Sequence, residues 1–221
     1  MGHREFKDQI YSQFARVGSA LSSDRRLELI DLLAQGPRNV EALAEEAGIS
    51  VANTSQHLQT LKAAHLVETA RDGTRIVYRL ADQNVLTLWL ALRATAENQL
   101  PEVAQIQRKF AVNGSDEERV GRDTAAALVK RKDAVLLDVR PRLEYTNGHI
   151  PGAIAVPIEE LGDRLGELSV DKEVIVYCRG AYCQWADEAV ALLQSHGFHA
   201  ARLEGGWSEW AADHPGDESA G

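Results

Sequence analysis

Apolar positions along the chain fall into two rhythms. Up to about Phe110 they recur mostly at helical spacing, with one extended stretch. Further on, short β-rich runs alternate with helical ones: "AVLLDV", "AIAV", "EVIVYC" and "HAARLE". Strand–helix alternation of that kind predicts a parallel sheet with helices on both faces. Between the two rhythms lies "AVNGSDEERVG", Ala111 to Gly121, polar and carrying Gly114 and Ser115, the composition of a linker. The expected layout is a mainly helical domain over 1–110, a linker over 111–120 and an α/β domain over 121–221. No internal repeat is present.

The first domain contains a compact series of signals between Gly36 and Leu80. Val40, Leu43, Ala44 and Ala47 make one apolar helix face, and Gly48 ends that helix. Ser50 is placed to cap a second helix, with Ala52, Leu58, Leu61 and Leu66 facing inward. Val51, Asn53, Thr54, Ser55, Gln56 and His57 are read as its outward face. Short polar side chains near a helix N-terminus suit the major groove, where Gln and Asn pair with adenine and Ser or Thr with several bases. "VETARDGTRIVYRL" then reads as a hairpin around Asp72-Gly73. Arg71, Arg75 and Arg79 lie in or beside it, within reach of phosphate oxygens or a minor groove. Taken singly, each signal also fits a packing unit or a solvated turn; their order favours a winged helix-turn-helix.

"SQHLQTLKAAHLVETARDGTRIVYRL" resembles the recognition helix and wing of the ArsR family of bacterial winged-helix repressors, a resemblance spanning about Phe6 to Arg108. It implies a DNA-binding homodimer built from an N-terminal helix (Phe6, Ile10, Phe14, Val17) and a late helix (Val85, Leu88, Trp89, Leu92). Such a dimer reads a partly palindromic double-stranded operator with half-sites about one helical turn apart. Metal-sensing members place cysteines before the recognition helix, or His and acidic ligands on the last helix. "VEALAEEAG" and "NVLTLWLALRATAENQL" carry neither thiol nor histidine, and His57 and His65 stand alone. Soft metals need clustered thiolates, so no metal and no cofactor is expected.

Charge sharpens the division of labour. Through Val112 there are 13 basic and 13 acidic side chains, and after it 11 against 20, so the second half carries the whole net charge of -9. An acidic domain repels nucleic acid, and DNA affinity must come from clusters in the first half. No apolar run approaches the roughly 18 residues of a membrane helix, and the start "MGHREFKDQIYSQF" is unlike a signal peptide. The expected location is the cytoplasm, away from membranes, where a close cysteine pair is more often reactive or metal-binding than structural.

The chain has 2 cysteines, both in "VYCRGAYC". Cys178 ends a buried strand just before an amphipathic helix, the position where open α/β sheets place their chemistry. Backbone N–H groups from Arg179 through Gly180, Ala181 and Tyr182 to Cys183 can curl around the sulfur. The helix N-terminus adds partial positive charge, and Arg179 adds a full one. All of these favour thiolate. The alternatives are an apolar filler cysteine, or a zinc site, which two thiols alone cannot complete. Phosphatase chemistry wants Arg six residues after the nucleophile, where this chain has Gln184.

"LLDVRPRLEYTNGHIPGAIAVP", with "VYCRGAYC" and "LEGGWSEW", resembles a rhodanese domain from about Val120 to Pro215. The resemblance implies that Cys178 takes sulfane sulfur from a thiosulfate- or polysulfide-class donor, becomes a persulfide and passes the sulfur on. Asp138, Arg140, Glu144 and His149 are expected to tie loops together, and Gly148 and Gly152 to serve backbone geometry. Gly180 comes one position early for the common loop, and Cys183 replaces its usual last residue. A second thiol there can resolve a Cys178 persulfide into a disulfide or polysulfide bridge. Three readings stand: a dimeric repressor sensing sulfane sulfur or oxidant, a sulfurtransferase using its winged helix for dimerisation or autoregulation, and a DNA-binding scaffold with an inert rhodanese fold.

Overall fold

A computed structural model of the protein describes residues 2–110 and 119–214. They form two compact units, Met1–Ala91 and Leu92–Gly221. Residues 111–118 of the expected linker lie outside the described residues, while Arg119 and Val120 form a short strand.

In the first unit, α1 (His3–Leu21) and α2 (Asp24–Leu33) precede the helix-turn-helix of α3 (Val40–Glu46) and α4 (Val51–Ala63). The Asn39 side chain caps α3 by accepting from the Ala42 N–H at 2.9 Å, and Ser50 Oγ caps α4 from Asn53 N–H at 3.3 Å. Gly48 sits between them at φ +63°, a conformation glycine adopts without steric cost. Strands β1 (Val67–Asp72) and β2 (Arg75–Leu80) pair antiparallel as the expected hairpin, with Gly73 at φ +59° in its turn. Leu29, Ile30, Leu43, Leu58, Leu61, Val67 and Val85 close the core. Val85 comes from the start of α5 (Gln83–Gln99), inside which the division between the units falls.

Two assignments on α4 are corrected. Ala52 is exposed, and Thr54 is fully buried in its place, stacked a turn ahead of Leu58 and Leu61. The Thr54 hydroxyl donates to the Ser50 carbonyl at 3.1 Å. A satisfied hydroxyl can be buried at little cost, and the spacing of 54, 58 and 61 is that of one helix face.

The second unit begins with the end of α5 and α6 (Pro101–Phe110) and is organised around a five-stranded parallel sheet. Its order is β3 (Arg119–Val120), β7 (Ala200–Leu203), β6 (Glu173–Tyr177), β4 (Ala134–Asp138), β5 (Ile154–Ala155). The intervening helices are α7 (Arg122–Arg131), α8 (Arg142–Asn147), α9 (Ile158–Arg164) and α10 (Trp185–Ser195), with α11 (Trp207–Asp213) after β7. β6 is central, and Val174 to Tyr177 have no exposed surface. A strand covered on both faces explains its unbroken apolar run. Among the described residues no helix is long and apolar enough to cross a membrane.

Candidate functional site

Cys178 follows β6 directly, and the loop to Cys183 ends ahead of α10. The two sulfurs are joined in a disulfide, with the Cα atoms 6.2 Å apart, inside the range such a bond requires. Cys178 is 1 % exposed, while Cys183 is half-buried.

The loop is held from several sides. Arg202 of β7, buried at 2 % exposure, donates Nη2 to the Gly180 and Ala181 carbonyls at 3.1 and 3.0 Å, and its Nη1 pairs with Asp187. Turning those carbonyls toward Arg202 fixes the loop's curl. The Cys183 N–H donates to the Gly180 carbonyl at 3.2 Å, so in the disulfide form this N–H closes a turn rather than facing sulfur. From the start of α11, Trp207 N–H reaches the Cys178 carbonyl at 3.0 Å and Ser208 N–H the Arg179 carbonyl at 3.1 Å. Gly206 makes that approach possible, since a Cβ there would lie 2.4 Å from the Cys178 carbonyl oxygen.

Arg179 differs from its expected role. Its guanidinium binds the buried Glu144 carboxylate, with Nε 3.0 Å from both oxygens, and lies over the Trp185 ring. Glu144 offsets the positive charge expected to act on the sulfur, and Arg179 anchors the loop to α8. Around it, Arg140 and Asp138 form a fully buried pair, and Arg140 Nη2 donates to the Gly148 carbonyl at 2.8 Å. Burial alone would depress the Arg140 pKa, but the charge and hydrogen bonds of Asp138 turn the shift upward. Burial likewise raises the Tyr177 phenol, which accepts from the Ile150 N–H at 3.2 Å. His149 contacts the Tyr145 carbonyl and stacks on its ring. These four side chains thus tie loops, as the motif suggested. Gly152 has φ +83°, while Gly148 is required by space, since a Cβ there would meet Trp207 at 2.6 Å.

A second set of contacts involves the loop's outer residues. The Tyr182 hydroxyl donates to Glu97 Oε1 at 2.6 Å, and Arg93 lies 5.8 Å from the Tyr182 ring centre. Arg93 also pairs with Glu209 of α11. Burial and the Glu97 hydrogen bond push the Tyr182 phenol up to about 12. The sequence reading missed Arg93, Glu97, Arg202, Gly206 and Glu209 as loop-holding residues. The paired glycines of "LEGGW" were the one local signal, since adjacent glycines mark close backbone approach.

In the first unit, α4 exposes Val51, Asn53 and Gln56, with Ser55 and His57 half-exposed, whereas Thr54 faces the core and cannot contact bases. Arg71 and Arg75 are exposed at the wing tip, and Arg79 pairs with Glu68. Phe6, Ile10, Tyr11 and Phe14 on α1 and Leu88 and Leu92 on α5 are exposed apolar side chains. The expected interface set is corrected at Val85, and two further members are half-buried. Val85 is buried, Val17 and Trp89 pack on the core, and Trp89 Nε1 donates to Asp31 at 2.9 Å.

A helix-turn-helix with an arginine-tipped wing, joined to a parallel α/β unit that presents a cysteine loop, defines a DNA-binding regulator carrying a rhodanese-like domain. Residues 23–69 match the bacterial regulatory protein, arsR family, and residues 122–213 match the rhodanese-like domain. The HTH-type transcriptional regulator Rv0324 of Mycobacterium tuberculosis is 44% identical over 223 residues, covering 99% of this chain and 96% of that protein. A sulfurtransferase of Allochromatium vinosum is 31% identical over 84 residues, covering 38% of this chain and 78% of that protein. The solved homodimeric winged helix-turn-helix DNA-binding domain of Mb0332 from Mycobacterium bovis is 43% identical. It covers 45% of this chain and 93% of its own, with a TM-score of 0.43. The chain belongs to the ArsR-family transcriptional regulators, in the form with a C-terminal rhodanese-like domain.

Proposed function

We propose that the protein is a homodimeric repressor that binds a double-stranded DNA operator in the cytoplasm and senses sulfane sulfur through Cys178. Residues 1–110 would serve DNA binding and dimerisation, 111–120 linkage, and 121–221 sulfur chemistry. The observation that carries the reading is that the chain's only two thiols come within bonding reach in one anchored loop. Exposed apolar faces on α1 and α5 support dimerisation. Asn53, Gln56, Arg71 and Arg75 are the exposed groups suited to bases and phosphates.

The chemistry balances without a cofactor. The Cys178 thiolate attacks the outer sulfur of thiosulfate, forming a Cys178 persulfide anion and expelling sulfite. A polysulfide donor would instead leave one sulfur shorter. The Cys183 thiol then attacks Cys178 Sγ, forming the disulfide and expelling the outer sulfur, which takes the Cys183 proton and leaves as hydrosulfide. Two thiols are oxidised and one sulfane sulfur is reduced. Reduction by two equivalents of a low-molecular-weight thiol restores the starting state.

The test is intact-protein mass spectrometry after thiosulfate and, separately, polysulfide, on wild type, Cys178→Ser and Cys183→Ser. DNA binding is measured on the same samples. The expected result is a disulfide in wild type, a trapped persulfide in Cys183→Ser, and no loss of DNA binding in Cys178→Ser. A Cys178→Ser protein still released normally from DNA by polysulfide refutes the sensor.

A sulfurtransferase is favoured by one further observation. A cavity of about 600 Å³ beside the loop is lined by Ala181, Tyr182 and Gln184 on one side and by Ile106 and Phe110 of α6 on another, with room for an acceptor. Steady thiosulfate–cyanide turnover by wild type, with DNA affinity unchanged by the sulfur adduct, would establish that reading instead.

A further inference from the structure

The cysteine loop is gripped by α5, the helix that the family resemblance assigns to the dimer interface. Tyr182, next to Cys183, projects from the loop, and its hydroxyl donates to Glu97 Oε1 at 2.6 Å. Arg93, one turn earlier on α5, sets its Nε 3.4 Å from Glu97, lies over the Tyr182 ring and pairs with Glu209. The Glu209 carboxylate lies 3.4 Å from where a Cβ on Gly180 would stand. Two loop residues, Gly180 and Tyr182, are therefore held against one charged cluster. Arg93 and Glu209 keep only 13% and 12% of their side-chain surface, so their pairing is far less screened than a surface ion pair. All four residues belong to the second unit. The helix that carries Arg93 and Glu97 begins at Gln83 and contributes Val85 and Trp89 to the first unit's core.

We propose that Glu97 and Arg93 are positioning residues that clasp Tyr182 when Cys178 and Cys183 are bonded and release it when that bond opens. This deepens the sensor reading and rests on it for the DNA consequence. The reason is geometric. With the disulfide closed, Cys183 is tied to the end of β6, and the intervening loop holds Tyr182 at Glu97. Reduction by two equivalents of thiol, which leaves two cysteine thiols and one external disulfide, frees Cys183 and with it the adjoining tyrosine. A contact made in one redox state stabilises that state, and linkage requires that removing it weakens the disulfide.

The test uses the full chain as wild type, Tyr182→Phe, Glu97→Ala and the conservative Glu97→Gln. Each is equilibrated in mixtures of reduced and oxidised dithiothreitol, and the disulfide fraction is read by alkylation and mass. Tyr182 is exposed, so water screens this hydrogen bond to the ordinary net range, and its loss should move the dithiol–disulfide equilibrium about fivefold to tenfold toward dithiol. That corresponds to roughly 20–30 mV. Glu97→Gln keeps an acceptor and should restore most of the wild-type value. On DNA selected by the protein from a random-sequence pool, Tyr182→Phe should narrow the affinity difference between oxidised and reduced protein. Potentials of Tyr182→Phe and Glu97→Ala that match wild type overturn the clasp, as does an undiminished affinity difference in both variants. If wild type binds DNA equally in both states, the sensor reading falls and the measured potentials alone decide the clasp.

Discussion

Arg202 offers the sharpest test of how the loop is held. Its Nη2 bridges two loop carbonyls at 3.1 and 3.0 Å while Nη1 pairs with Asp187. Hydrogen bonds from a charged donor contribute about 1.5–3 kcal/mol each, so the two carbonyl contacts set a ceiling near 6 kcal/mol. Burying the guanidinium has a desolvation cost that replacement recovers, and the buried Arg202 Nε has no hydrogen-bond partner among the described residues. Asp187 keeps 18% of its side-chain surface and can rehydrate. The net loss for Arg202→Met should therefore be about 2–4 kcal/mol. With a urea m-value of about 1–3 kcal/mol/M, the midpoint should fall by roughly 1–2 M. Arg202→Lys should fall between the two, because one ammonium cannot span both carbonyls and the carboxylate as a planar fork does. Trp185, Trp207 and Trp210 report unfolding of this unit by fluorescence, and sulfur uptake from thiosulfate reports the loop. An Arg202→Met protein within about 0.5 kcal/mol of wild type, with unchanged uptake, would refute the argument.

Further outcomes follow from the same geometry. Gly206→Ala should destabilise the second unit by about 1–3 kcal/mol in urea unfolding and slow sulfur uptake, because its Cβ meets loop backbone. Gly180→Ala, whose Cβ meets only side-chain ends, the Glu209 carboxylate and Arg93 Nη1, should be milder. Thr54→Val should leave DNA affinity unchanged in fluorescence anisotropy, whereas Gln56→Ala should lose about 1–3 kcal/mol on the cognate site. Arg71→Ala should instead flatten the dependence of affinity on salt by about one unit of slope. Tyr182, pushed up to about 12, should remain protonated at pH values where ordinary phenols ionise. Because its folded value is raised, its contribution to stability is present below the unfolded phenol's range near 10 and is lost as pH rises through the folded value. The absorbance difference between wild type and Tyr182→Phe at 295 nm should therefore appear only near the upper end of that window.

What the sequence revealed follows the range of the forces involved. "EVIVYC" before an amphipathic helix is a local pattern, and β6, the loop and α10 form where it places them. β3 is only two residues long and pairs with β7, too short to carry a period. On α4, sorting residues by polarity moved Thr54 outward, although its spacing from Leu58 and Leu61 marks the inner face. Its hydroxyl has a partner one turn back, and polarity alone does not exclude such a residue from a core. Arg202 and Arg179 fail for the opposite reason. Their partners, Asp187 with the loop carbonyls and Glu144, are 15, 22, 21 and 35 residues away. No window of sequence shows that one arginine's charge is satisfied by the buried Glu144 carboxylate and the other's by Asp187 together with the loop carbonyls.

The same loop also bears on the choice between sensor and transfer enzyme. Its anchors, Arg202, Arg179 and the α11 N–H groups, would serve either activity, since both need Cys178 held still. Cys183 is what separates them. A persulfide on Cys178 would have within reach, five residues on in the same loop, the thiol that bonds it in the disulfide form, and oriented intramolecular attack competes with external groups at effective concentrations of up to about 10⁵–10⁸ M. Even a small fraction of that advantage outruns a millimolar acceptor. On the proposed chemistry, sulfur delivered to this loop would then be expelled as hydrosulfide rather than handed on, and what would persist is the disulfide. A group that consumes its own cargo is poorly suited to turnover and well suited to recording that the donor was present. Removing Cys183 should convert the recorder into a carrier, which is why the Cys183→Ser protein is the variant in which persulfide accumulates.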